Sequence, residues 1–436
     1  MTVLTKGVAT VRIDVTCTVL AMLLTALTPS AWAVGGNGED PAQAEYRFTF
    51  APSYIGLNLS LAPSPGKLDL QPDLEPDVFD LPTMLAPRLM LGKLLFWGHA
   101  DLYVSLAPFW LRTREPRGFT TRFSLAMESG LKIYPWALSP GTIRPYAGVG
   151  WSLNTYSQDD GPLVTIHQVP VMIGAAWRTR LGIFEVGASL HIFGARDYPL
   201  DRTPDRTARL VPEVLDVWLG YRWVFDATSR FIEEAQSGRL AQRYRDFSRD
   251  GKLSGWELAI GPSVGFPLTG SQFEGDGAFL NNLRRPTPGP DVSVGYYLHS
   301  IDAVIRANYR FFYTQDKGYG RTHTYVRHSA SLDVFKYVVD YQGFLPFVGG
   351  GISLEGLNYA VDDAISEQRQ DEGDLKPSLS LVVGWDFRPF ETTAWALRSN
   401  VRYTPGLEIR TGNERVAFDH FEINFLQLVI YPERLF

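Results

Sequence analysis

Residues 119–133 read FTTRFSLAMESGLKI, and the way they alternate decides the kind of fold. The odd positions Phe119, Thr121, Phe123, Leu125, Met127, Ser129, Leu131 and Ile133 are mostly apolar, while the even ones, Thr120, Arg122, Ser124, Ala126, Glu128, Gly130 and Lys132, are charged, polar or tiny. A period of two marks a strand with unlike faces, because successive side chains point to opposite sides. The pattern recurs where Pro145, Ala147, Val149, Trp151 and Leu153 alternate with Arg144, Tyr146, Gly148, Gly150, Ser152 and Asn154. In the second half, Leu379, Leu381, Val383, Trp385 and Phe387 alternate with Ser378, Ser380, Val382, Gly384 and Asp386.

A soluble sandwich also alternates, so run length has to decide. Many of these runs pass a dozen residues, whereas soluble strands average about 5–6 and a tilted strand needs about 9–11 to cross a bilayer. Aromatics gather near strand ends, as in FFY at 311–313, YPW at 134–136 and YRW at 221–223, where a membrane-interface girdle would hold them.

Internal similarity sets the organisation. RPYAGVGWSL at 144–153 returns as LPFVGGGISL at 345–354, and ADLYVSLAPFWLRT at 100–113 as IDAVIRANYRFFYT at 301–314, with an offset of about 200 residues in both cases. The repeats imply two copies of one unit, 45–226 and 255–436, joined by a helical linker at 227–254. Each copy contains eight candidate strands, and long and short connections alternate between them. That places both termini and the linker on the short-turn, periplasmic side.

The N-terminus carries Lys6 and Arg12, the apolar run VTCTVLAMLLTALT and the small-residue pattern Ala31-Trp32-Ala33. This reads as a secretory signal peptide over 1–33, followed by a disordered stretch at 34–44. The single cysteine, Cys17, lies within it, so the exported chain is expected to have no disulfide and no cysteine ligand. Over 436 residues, 45% hydrophobic content excludes general disorder, and a net charge of −6 gives no support to nucleic-acid binding.

With these stretches the chain resembles the outer-membrane β-barrel family of small eight-stranded OmpA-like or OmpW-like proteins in tandem, through RPYAGVGWSL, VVGWDFRPF and VRYTPGLEI. The resemblance implies an all-β transmembrane antiparallel up-and-down barrel in a Gram-negative outer membrane, with lipid as its surroundings. The family's terminal aromatic, read by the barrel-assembly machinery, is matched by Phe436, although Pro432 interrupts the last strand.

Two closed eight-stranded barrels are expected, with one sixteen-stranded barrel as the alternative, and the choice bears on function. Eight strands enclose a space that side chains fill, whereas about sixteen leave an aqueous channel. Expected inward positions pair long charged residues (Arg122, Glu128, Lys132, Arg144, Glu185, Asp216, Arg222) with glycines. Large beside small is how a narrow lumen packs. In the second copy Arg306, Arg310, Arg327, Arg398 and Arg402 fall on expected inward faces, against Asp302, Asp333, Asp386 and Glu422. Such a cluster either forms a salt-bridged plug or lines an anion-attracting constriction.

No enzyme is expected. THTYVRHSAS places Ser329 next to His328, hence on the opposite face, and the position two residues on is Ala330. His167 and His191 are expected to be polar fillers of the inward face. The functional expectation is therefore a structural or surface-binding outer-membrane barrel with an unknown external ligand. A porin-like passive channel is the alternative, and a lipid-modifying enzyme comes third.

One further motif is DFSRDGKLSGWE at 246–257. Its spacing follows an EF-hand loop, with Asp246, Ser248, Asp250 and Glu257 offering side-chain oxygens and Lys252 its carbonyl. No exit helix follows. The expectation is either a turn or a calcium clip at the joint between the copies, with no cofactor otherwise required.

Overall fold

The computed structural model describes residues 53–435, apart from 63–66, 71–77, 81–82, 108–110, 115–119, 193, 203–206, 212–213, 226–237, 274–278, 281–285, 341–342 and 412–413. The expected signal peptide, the 34–44 stretch and the start of the linker lie outside these residues.

Eight strands form the first barrel: β1 (Ser53–Ala62), β2 (Met84–Leu95), β3 (Ala100–Leu106), β4 (Thr120–Ile133), β5 (Thr142–Gln158), β6 (Val164–Arg178), β7 (Gly182–Ile192) and β8 (Val214–Phe225). Each pairs antiparallel with the next, and β8 returns to β1 from Ser53↔Phe225 to Leu61↔Val217. A helix, α1 (Arg239–Arg249), precedes the second set. That set is β9 (Gly255–Pro267), β10 (Thr287–Leu298), β11 (Ala303–Gly318), β12 (Arg321–Tyr337), β13 (Phe344–Asp363), β14 (Gln368–Phe387), β15 (Trp395–Thr404) and β16 (His420–Ile430). It is a closed barrel in which β16 pairs back onto β9. The fold is thus all-β, two tandem eight-stranded barrels, and each copy satisfies its own edge strands. The sixteen-stranded alternative is excluded because β8 and β9 bond within their own copies.

Burial is inverted relative to a soluble protein. The exposed large side chains along β1 are Ile55, Leu57, Leu59 and Leu61, and along β13 they are Val348, Ile352 and Leu354. The most deeply buried large side chains include Arg222, Arg306, Arg310 and Arg398. Water on the outside would penalise this arrangement at every strand, whereas lipid outside and a polar interior satisfy it. Inside, large side chains require small neighbours. A Cβ on Gly174 or Gly187 would collide with the Tyr146 hydroxyl.

The stretch 119–133 holds one departure from its alternation. A bulge between Ser124 and Met127 shifts the register against β5, so the parity set by Leu131 and Ile133 fails at the far end. Phe123, expected outward, is buried in an interior cluster with Tyr156 and Tyr198. Arg122 is only half-buried at that end, and Arg144 sits at the opposite, short-turn end, donating from Nε to the Ala137 carbonyl at 3.2 Å.

Closure can be tested with cysteine pairs in the otherwise cysteine-free barrels. Ile55→Cys with Trp223→Cys are direct cross-strand partners, with Cα atoms about 4.5–5.5 Å apart, within disulfide reach. They are expected to crosslink on mild oxidation. Phe225→Cys with Trp256→Cys is expected not to, and efficient crosslinking of that second pair would indicate a single continuous sheet.

Candidate functional site in the two lumens and their caps

In the second barrel the five expected arginines all point inward, and all are buried. Arg398 makes a two-pronged pair with Glu257 (Nη1–Oε1 2.8 Å, Nη2–Oε2 3.0 Å) and reaches Asp386 through Nε at 2.8 Å. Tyr337 also donates to Asp386, at 2.5 Å. Further along the axis Asp333 accepts from Arg402 (3.0 Å and 2.5 Å) and from Arg306 Nε (3.2 Å). Beyond that, Glu422 takes Arg310 at 2.5 Å and Arg327 at 2.9 Å, while Glu355 takes Arg327 Nε at 2.9 Å and the hydroxyls of Ser329 and Ser353. Asp291 accepts from the side-chain amides of Asn308, Asn424 and Gln427 at 3.0–3.1 Å.

Every one of the five arginines is therefore committed to a carboxylate. Such fork-to-carboxylate pairs are the strong form of charged hydrogen bond, and the geometry is that of a plug. Asp302, expected inward, lies exposed at a short turn and accepts from the Tyr297 hydroxyl at 2.8 Å.

The first lumen follows the same logic with more aromatic filling. Arg222 pairs with Asp101 at 2.5 Å and with Glu185, and Lys132 meets Glu185 at 2.5 Å. Tyr146 and Trp218 donate to Glu185, Tyr54 to Asp101 and Tyr103 to Glu128. Arg88 stands between Glu128 at 3.3 Å and Asp216 at 3.5 Å. Arg88, Asp101, Glu355 and Asp291 are buried here but are not among the expected inward charges, though a lone charge on the small-residue face of an alternating run is the signal that marks them.

The histidines separate. His191 is interior, between Ser152 at 3.0 Å and Ser189 at 3.1 Å. His167, expected inward, lies on the outer face stacked on Trp151. His328 also faces outward, 2.8 Å from the Tyr309 hydroxyl, while Ser329 points inward to Glu355. The two are not a nucleophile and base.

Apolar clusters cover both long-loop mouths. Over the first barrel, Tyr156, Tyr198, Ala208 and Leu210 pack with Phe123 beneath a small sheet that includes Arg196–Pro199 and Thr207–Val211. Over the second, Phe273, Phe279 and Leu280 pack with Leu407, Ile409, Val416 and Phe418 of a hairpin (Glu408–Thr411 with Glu414–Ala417) and with Tyr359 of β13. Small cavities remain: about 10 Å³ beside Arg88 and Lys132, and about 50 Å³ under the second cap, lined by Thr314, Asp316, Tyr325 and His420. These hold about one water and a few waters respectively.

The two caps touch. Arg202 of the first clamps Asp363 of the second (Nη1–Oδ2 3.1 Å, Nη2–Oδ1 3.0 Å) and donates to the Tyr319 carbonyl at 2.8 Å, and the Tyr319 hydroxyl donates to the Pro199 carbonyl at 2.8 Å. The Arg202 hydrogen bonds hold the Asp363 carboxyl down at about 2.

The calcium-loop residues do not converge. Asp246 and Ser248 lie in the last turn of α1, where Asp246 pairs with Arg249 at 3.3 Å. Asp250 caps that helix and is bound by Arg249 Nε at 3.2 Å. Lys252 follows, but Glu257 is inside the barrel on Arg398. The expectation of Glu257 as twelfth ligand is corrected: β9 begins at Gly255, and the strand's alternation turns Glu257 into the lumen. Among the described residues no group of three or more His, Cys, Asp or Glu side chains is placed to hold a metal ion.

An inverted strand pattern, self-closing eight-stranded rings and ion-paired interiors define the class: tandem β-barrels of the outer-membrane type. Known structures with similar folds include the Neisserial surface protein A (11% identity, TM-score 0.29, covering 41% of this chain and 98% of that one). Others are Ail of Yersinia pestis (11%, 0.28, 41% and 97%) and the Pseudomonas putida toluene transporter TodX (8%, 0.19, 92% and 94%). At such identities and scores the likeness is one of fold alone. No protein-family model and no curated protein matches the sequence.

Proposed function

We propose that the protein resides in an outer membrane as a pair of sealed barrels with a structural or surface-binding role. Its short turns, α1 and the chain ends face the periplasm, and its capped loops face outward. The observation that supports this reading is the lumen chemistry: each barrel closes on eight strands, and Arg88 and Arg222 in the first and Arg306, Arg310, Arg327, Arg398 and Arg402 in the second are buried and ion-paired to carboxylates. Conduction needs a continuous wet path and sites weak enough to leave, and a lumen filled by paired charges provides neither. The long loops would then serve contact with the outside rather than gating.

Recordings in planar lipid bilayers test it. The purified full chain is expected to give no current steps above background. Discrete steps, with or without anion preference, would overturn the sealed reading in favour of a passive channel.

A further inference from the structure

Strands β11 to β14 run well past the apolar band and form a four-stranded sheet above it, with β12 paired to β13 up to Arg321↔Asp363 and β13 to β14 up to Asp363↔Gln368. On its other side, among the described residues, β14 has a strand partner only from Leu381↔Tyr403 downward. Residues 368–375 are exposed on both faces, and the cap hairpin reaches the strand at Lys376, whose Nζ donates to the Glu408 carbonyl at 2.5 Å.

The register identifies which backbone groups line the free side. Arg388 N–H donates to the Gly343 carbonyl, and the β13–β14 ladder runs without a register shift. Even-numbered residues of β14 therefore bond to β13, and odd-numbered ones turn their N–H and C=O outward. Leu375 N–H agrees, donating to the Asp374 side chain at 2.8 Å. Arg369, Asp371 and Gly373 are left with outward-turned N–H and C=O groups, and Pro377, which has no N–H, ends the usable stretch.

An uncovered edge of this kind is normally blunted, because it templates strand addition. Here it is guarded by charge of one dominant sign. Glu367, Asp371, Glu372 and Asp374 surround it, Arg369 is the opposing charge, and Lys376 is already paired with Asp374 at 3.1 Å. A second copy brought edge to edge would set acid against acid, whereas a basic strand would be favoured.

We propose that residues 369–375 of β14 are a docking edge for an extended, basic polypeptide segment of another protein, which adds to the sheet as a fifth strand. This deepens the surface-binding reading and rests on it. Main-chain bonds supply affinity in such pairing, and side-chain charge supplies selection.

The test uses the full chain in lipid nanodiscs and a fluorescent peptide alternating lysine and valine, followed by anisotropy. Three results are expected. The peptide binds, an alternating glutamate–valine peptide binds at least about tenfold more weakly, and N-methylation of every second peptide bond weakens the basic peptide by about tenfold. Asp371→Pro is expected to weaken binding about as much, because it removes an outward N–H without touching the β13 ladder. Absence of binding overturns the proposal. Equal binding of the N-methylated peptide also overturns it, since that would be adsorption by charge alone, and this arm stands even if the proline variant fails to fold. Silent bilayer recordings with no peptide binding would leave the sealed-barrel reading intact while removing this edge as the docking site.

Discussion

Arg398→Ala is expected to cost about 3–5 kcal/mol of the second barrel's stability, because it strands two carboxylates in a sealed interior. Glu257 and Asp386 are both within 3.0 Å of the guanidinium, and all three groups are essentially inaccessible. Removing the cation leaves charges that can neither pair nor hydrate. The cost is the penalty of those orphans more than the worth of the pair. Urea unfolding from lipid vesicles, read by tryptophan fluorescence from Trp256, Trp385 and Trp395, measures it. Arg398→Ala combined with Glu257→Gln and Asp386→Asn is expected to recover part of the loss. A single-variant cost below about 1 kcal/mol, the range of solvated surface pairs, would mean that water reaches the site, and with it that the barrel is open.

The second large effect lies on the opposite face of the same sheet. Ile352→Arg is expected to destabilise by about 2–4 kcal/mol, the range for a cation near the bilayer midplane on a barrel's lipid face. Ile352 points outward between Val348 and Leu354, in the middle of the apolar stretch of β13, and is 60% exposed. In a soluble protein an exposed position of this kind tolerates arginine within about 0.5 kcal/mol. Asn358→Arg, six residues further along the same face and beyond the apolar stretch, supplies the comparison and is expected to be near neutral. Equal costs at the two positions would argue against lipid around the barrel.

Local chemistry made much of this architecture legible. The period of two, the length of the runs and the repetition of RPYAGVGWSL as LPFVGGGISL identify two copies of a barrel-type unit, because a strand between lipid and a packed lumen must alternate along its whole length. The same parity puts the five arginines on one face, and all five are buried. Parity failed where the strand departs from regularity. The bulge at Ser124–Met127 shifts Phe123 from the lipid face to the cap core, and nothing in FTTRFSLAMESGLKI marks the extra residue. By spacing Glu257 fits two places at once, the last ligand of a loop and the start of the strand WELAIGPSVGF; β9 begins at Gly255, and its alternation puts Glu257 on Arg398.

By itself, then, the sequence determined that this is a doubled, inside-out β protein and, for much of the length of its regular strands, which face turns inward, since alternation is a property of neighbours along the chain. Closure, partners and cover were decided by the tertiary structure. Whether β8 bonds to β1 or to β9, that Arg398 takes Glu257 from 141 residues away, and that β14 outruns β15 to leave a bare edge all depend on contacts between segments remote in sequence. Spacing along the chain does not encode those contacts, because they are fixed only when eight strands tilt into a ring and their staggered ends meet.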